Sequence, residues 1–258
     1  MQLSFKECGV GEPLLILHGL FGSSDNWMGV APKLADQFHV FALDLRNHGQ
    51  SPHSDEMTYS LMAGDVVEFL DARKLASAIV LGHSMGGKVA MQLALDFPGR
   101  VQKLVIADMS PGEHAPEFEG YFLTLLALDL KAYRSRQQME EVMAPAIPNL
   151  AMRRFLLKNL GYNADEEYFW KMNLEGIYKN YPRICEAISS GQQYRKPTLF
   201  INGGKSNYIT EEDKPLIQKL FPEVKFHTIA EAGHWIHADA AVEFVREVTK
   251  FLSGDSAS

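Results

Sequence analysis

The stretch Gly82-His83-Ser84-Met85-Gly86-Gly87 decides how the chain is read. It follows a short apolar run at 77–81 (S-A-I-V-L) and leads into a helical pattern at 88–97, with Val89, Met91, Leu93 and Leu95 apolar and Pro98 as its stop. G-x-S-x-G between a strand and a helix is the setting of a nucleophile elbow. The turn is tight enough to force Ser84 into a strained backbone conformation. Gly82 and Gly86 flank it because side chains there would collide as strand and helix pass. Such a turn lifts the Ser84 hydroxyl above the strand end and places the Met85 N–H at a helix N-terminus, where it can face a developing oxyanion. The competing reading, a glycine-rich turn with an N-capping serine, does not need this context. The G-x-x-x-x-G-K-[ST] spacing of a phosphate loop is absent.

Working outward, further short apolar runs lie at 13–17, 40–43, 104–107, 197–202 and 224–229. They are apolar throughout, as strands covered on both faces should be. Helical patterns alternate with them at 27–38, 58–75 (Thr58 or Ser60 as N-cap), 210–221 and 239–252. This alternation predicts an α/β fold with a mostly parallel central sheet and helices on both faces. Between 112 and 193 no strand-like run is visible; helices are expected at 117–130, 135–143, 149–160, 165–171 and 182–190. The expected organisation is a core of 1–111 and 194–258 carrying an inserted helical cap at 112–193, with 254–258 a frayed tail.

His18-Gly19-Leu20-Phe21-Gly22 ends the first core strand, and a glycine-rich loop there can supply the second oxyanion N–H. Leu20 is the first choice as donor and Phe21 the second. Residues 44–51 (D-L-R-N-H-G-Q-S) read as a structural loop bracing the elbow and the His18 loop, rather than as catalytic residues. For the base, His234 in A-G-H-W follows the last apolar run and keeps the Ser…His chain order of an α/β-hydrolase. His237 reads as structural, and a His234–His237 metal pair lacks a third ligand at recognisable spacing.

The acid is less direct. After the penultimate strand, where a G-x-x-D carboxylate is expected, the chain reads Gly203-Gly204-Lys205-Ser206-Asn207-Tyr208. Ser206 cannot hold an imidazolium by charge, and Glu211, Glu212 and Asp213 lie on the start of the next helix. Asp108 ends the strand after the elbow helix, at the same sheet edge as Ser84, and is the favoured acid.

Composition sets outer limits. A formal net charge of −7 over 258 residues argues against a sequence-independent grip on nucleic acid. Two distant cysteines, Cys8 and Cys185, fit reduced thiols. No signal-peptide pattern and no apolar run near the ~18 residues of a bilayer span are visible. A cytoplasmic protein acting on a small molecule is expected, with no cofactor and no metal; the oligomeric state is open.

Taken together, H-G-L-F-G (18–22), D-L-R-N-H-G-Q-S (44–51), G-H-S-M-G-G-K (82–88), D-M-S-P (108–111), G-G-K-S-N-Y (203–208) and G-H-W-I-H-A (233–238) resemble α/β-hydrolase-fold serine esterases, in particular small bacterial esterases of the YbfF type. The resemblance spans nearly the whole chain, loosely in the insertion, and departs from the pattern at Asn207, where proline is expected. It implies a Ser84–Asp108–His234 triad, a helical cap, and activity on acyl esters, with acyl-coenzyme A thioesters as a second class. Two other readings stay open. One is a carbon–carbon bond hydrolase or lyase, which would need cap arginines (Arg134, Arg136, Arg153, Arg154 and Arg183 are available). The other is a non-catalytic ligand sensor.

Overall fold

A computed structural model describes residues 1–254, so the tail reading for 255–258 lies outside the described residues. The first half runs β1 (Phe5–Cys8), β2 (Glu12–Leu17), α1 (Ala31–Leu34), β3 (Phe38–Leu43), α2 (Tyr59–Ala72), β4 (Ala78–His83), α3 (Met85–Asp96) and β5 (Val101–Ala107). Next come α4 (Glu119–Leu126), α5 (Arg136–Met143), α6 (Leu150–Leu157), β6 (Leu160–Tyr162), β7 (Tyr168–Trp170) and α7 (Leu174–Cys185). The chain closes with β8 (Thr198–Gly203), α8 (Lys214–Leu220), β9 (Val224–Ile229), α9 (Ile236–Asp239) and α10 (Ala241–Ser253), where Gly254 supplies a left-handed C-cap.

Seven strands form one sheet in the order β1-β3-β2-β4-β5-β8-β9, parallel except for β1, which runs antiparallel to β3. Successive side chains of a strand face opposite sides, so continuous apolar runs fill two cores at once. Leu15, Leu17 and Val80 face the α2–α3 side, while Leu14, Ile16, Ile79 and Leu81 face α1 and α10. The chain leaves β2 toward β3 and then crosses back over β2 to β4. The strand order therefore reverses between β2 and β4, and loops splay apart at their C-terminal ends. This is where α/β sheets bind ligands, and Ser84 follows β4.

The loop after β3 is held by buried polar contacts. Arg46 Nε and Nη2 donate to Asp65 at 2.6 and 2.9 Å. Asp44 accepts from the Ser24 and Gln50 N–H groups at 2.7 and 2.9 Å. His18 Nε2 accepts from the Leu45 N–H at 3.0 Å. The bracing role expected for 44–51 holds for the His18 loop, but among the described residues no hydrogen bond joins it to residues 82–87. It is also attached to the segment between β5 and β8: Asn173 donates from its backbone to Asn47 O at 2.8 Å and from its side chain to Asn47 Oδ1 at 3.1 Å.

Four expectations need correction. The run at 27–38 is a single 3-10 turn (Ser24–Trp27) followed by the four-residue α1. The segment 165–171 is not a helix: β6 and β7 pair antiparallel there, with Gly161 opposite Phe169, whose ring occupies the space a larger side chain at Gly161 would fill. The helix expected at 182–190 ends at Cys185; Pro182 lies inside its last turn rather than at its start. Burial of Tyr181 and Ile184 on one face of α7 outweighs the roughly 3 kcal/mol helical penalty of proline. Strand β1, half-exposed along F-K-E-C, was outside the expected set.

Candidate active site

The elbow is built by close approach. A methyl group at Gly82 would lie 2.2 Å from the Gly86 carbonyl oxygen, and one at Gly86 would lie 2.3 Å from that of Leu17. No other residue fits either position. Ser84 between them has φ 52° and ψ −123°, a conformation costing a non-glycine residue roughly 1–3 kcal/mol. The Ser84 N–H donates to Ala107 O at 3.2 Å, so the elbow is anchored to β5. Pairing of His83 with Ala107 puts the next residues, Ser84 and Asp108, side by side at the sheet edge.

Asp108 is fully buried and also left-handed, at φ 51°. Its Oδ1 accepts the Gly203 N–H at 2.9 Å; its Oδ2 accepts the Ser206 hydroxyl and lies 2.7 Å from His234 Nδ1. Ser206 thus stands beside the carboxylate in the segment where a carboxylate was sought. Glu211, Glu212 and Asp213 belong to a surface turn capped by Thr210. The His234 ring stacks on Tyr208 at 4.0 Å, and its carbonyl accepts from His83 Nε2 at 2.8 Å. Tyr208 and His83 position His234 from two sides. Neither was singled out in the sequence, although His83 sits next to the elbow serine and Tyr208 ends the G-G-K-S-N-Y segment.

His237 stacks on Trp27 at 4.3 Å and packs edge-on to His83 at 4.7 Å, a structural placement. Burial pushes the imidazole of His83 well below its usual range, and those of His48 and His237 down to about 3, so these rings are neutral. His18 is lowered for the same reason.

Two small clefts open at Ser84. One holds Ser84 and His234 together with Gly19, Leu20, Phe21, Phe118 and Trp235, and has about 30 Å³ of free space. The other, about 40 Å³, holds Ser84 and Met85 with Leu20, Tyr59, Phe118 and Lys88. Leu20 borders both, while Phe21 borders only the first. Among the described residues, neither the Leu20 nor the Phe21 N–H finds an acceptor. Phe21 has φ 60°, and its carbonyl accepts from Asn159 Nδ2 at 2.8 Å. None of Arg134, Arg136, Arg153, Arg154 and Arg183 borders either cleft. Arg136 and Arg153 cap backbone carbonyls, and Arg154 pairs with Glu140. Among the described residues no cluster of metal-ligating side chains occurs, and no helix is long and apolar enough to cross a membrane.

Comparison with known proteins agrees with this frame. A family model for the alpha/beta hydrolase fold matches residues 12–138 and 171–241. An sn-1-specific diacylglycerol lipase ABHD11 of Danio rerio is 36% identical over 256 residues, covering 96% of this chain and 80% of the relative. Esterase YbfF of Escherichia coli is 35% identical over 245 residues, covering 94% of this chain and 93% of the relative. A solved structure of a marine microorganism esterase superposes with a TM-score of 0.95 at 40% identity, over 97% of this chain and 99% of that one. The chain belongs to the alpha/beta hydrolase fold family, and it stands there among carboxylic ester hydrolases.

Proposed function

We propose that this chain hydrolyses carboxylic esters of short acyl groups through Ser84, His234 and Asp108, with an acyl-enzyme intermediate and no metal or organic cofactor. The observation that carries the reading is the Asp108–His234 hydrogen bond of 2.7 Å beside a strained Ser84 that shares a cleft with that histidine. Asp108 accepts from Nδ1–H, which leaves Nε2 as the base. Ser84 Oγ attacks the acyl carbonyl carbon as Nε2 takes the hydroxyl proton. The N–H groups of Met85 and Leu20, with Phe21 as the second choice to Leu20, hold the tetrahedral oxyanion. The bond to the leaving oxygen then breaks, and that oxygen takes the proton from His234. Water repeats the sequence, releasing the acid and free Ser84.

The leaving oxygen must reach His234, so the leaving group occupies the cleft that contains His234. The acyl group occupies the cleft that contains Met85. In this reading residues 112–193 work as a cap: Phe118 borders both clefts, Met152 and Phe155 border the leaving-group side, and Tyr181 and Ile184 the acyl side. Thioesters of coenzyme A fit the same chemistry, and a cytoplasmic setting fits two free cysteines. A carbon–carbon bond hydrolase loses support because no arginine borders either cleft. Turnover of a panel of acetyl, butyryl and longer esters and thioesters tests the proposal. Labelling of Ser84 by a fluorophosphonate without turnover of any ester would instead support a ligand sensor.

A further inference from the structure

Lys88 is 1% exposed, yet its ammonium has no carboxylate within salt-bridge distance among the described residues. Two of its three N–H groups are engaged: Nζ donates to Glu186 O at 2.6 Å and Cys185 O at 3.4 Å, at the C-terminal end of α7. The Tyr59 ring lies 5.6 Å from Nζ. Capping the last carbonyls of α7 accounts for part of this placement. It does not account for Lys88 bordering the acyl-side cleft, whose apolar wall includes Leu20, Met109, Phe118 and Ile184. A buried charge without a counter-charge is costly, and an anion arriving beside it removes that cost. His114, whose buried Nε2 has no hydrogen-bond partner among the described residues, borders the same cleft.

Position on the helix sets the scale. The Lys88 N–H bonds to Ser84 O at 3.2 Å, so the two residues are one turn apart on the same face of α3, about 6 Å along the axis. Helical side chains lean toward the N-terminus, which carries Nζ back toward the level of Ser84.

From this juxtaposition we infer that Lys88, with His114 beside it, is a specificity-determining residue: it receives a carboxylate carried by the acyl group two or three methylenes beyond the reacting carbonyl. The preferred substrates are then half-esters of short dicarboxylic acids rather than plain fatty acyl esters. The inference rests on the assignment of the acyl side in the proposed function. Burial lowers the Lys88 ammonium to about 8, with Glu113, Glu186 and Cys185 acting against the shift. His114 is itself lowered by burial. The charged tail therefore loses its partner in mildly alkaline solution.

The test compares monoethyl succinate with ethyl butyrate, matched in length and leaving group, by proton release in the full chain. Wild type should favour the half-ester by roughly tenfold or more in kcat/KM, the yield of one charge-assisted hydrogen bond. The ratio should fall toward one in Lys88→Met, each variant serving as its own reference. In wild type alone, which needs no variant to fold, the ratio should also decline between pH 7 and pH 9. A wild-type ratio at or below one, or a ratio that Lys88→Met leaves unchanged, overturns the inference while leaving ester hydrolysis intact. Failure to hydrolyse either ester would instead count against the proposed function itself.

Discussion

His234 Nδ1 lies 2.7 Å from Asp108 Oδ2 although 126 residues separate the two in the chain. The carboxylate ends β5 and the imidazole follows β9, two strands away in the sheet, with β8 between them. The Gly203 N–H at the end of β8 and the Ser206 hydroxyl just beyond it take two more acceptor sites of Asp108 and fix its plane.

Asp108 and its partner Ser206 should therefore separate in kinetics. Asp108→Asn should lower kcat by about 10⁴, because the amide favours the wrong tautomer of His234. Ser206→Ala should lower kcat by roughly 10- to 150-fold with little change in KM, the value of one hydrogen bond to a charged group. A Ser206→Ala loss as large as that of Asp108→Asn, or a severe loss in Asp213→Asn, would reassign the acid system.

The elbow glycines make a structural prediction. Gly82→Ala and Gly86→Ala each bring a methyl group to 2.2–2.3 Å from a backbone oxygen that cannot swing away. Each should cost at least about 3 kcal/mol, or abolish folding. Urea unfolding checks this. Gly64→Ala is the control, since nothing lies within 4 Å of the added methyl group.

Much of this was legible because the physics there is local. A tight strand–helix turn leaves G-x-S-x-G behind, and a strand buried on both faces leaves V-A-L-type runs. Asp108 could be favoured because the strand it ends is adjacent to that of Ser84. Distant contacts left no such mark. That Ser206 and Tyr208 would converge on Asp108 and His234 depends on the fold of the whole sheet edge. Between β5 and β8, tertiary packing overrode local signals: Pro182 is retained inside α7, and Phe169 covers Gly161 in a hairpin where the sequence suggests a helix. Edge strand β1 buries too little to show an apolar run.

Acid should weaken the fold through its buried imidazoles. His48 and His237 are held neutral by burial, with folded values near 3, whereas the unfolded chain protonates near 6.5. Below about pH 6.5 the unfolded state binds more protons, so stability is full above that value and falls as pH drops toward 3. The slope is at most about 1.4 kcal/mol per pH unit for each ring. His237→Phe, which keeps the stack on Trp27, should flatten the fall measured by urea unfolding between pH 6.5 and 5. An unchanged slope would show that this ring is not the group taking up protons.

Acyl length should be read by the cleft beside Met85. From acetyl to butyryl, kcat/KM should rise by no more than about fourfold per methylene, the equivalent of ~0.8 kcal/mol. A flat or falling profile from acetyl to butyryl would show that this cleft does not bind the acyl chain.

Ser84 should carry the acyl group during turnover. Acid-quenched turnover of a p-nitrophenyl ester, followed by peptide mass spectrometry, tests it directly. One acyl adduct per chain is expected, on the peptide containing Ser84, absent in Ser84→Ala, whose kcat falls by at least roughly 10³. An adduct on another residue, or near-normal turnover by Ser84→Ala, would contradict it.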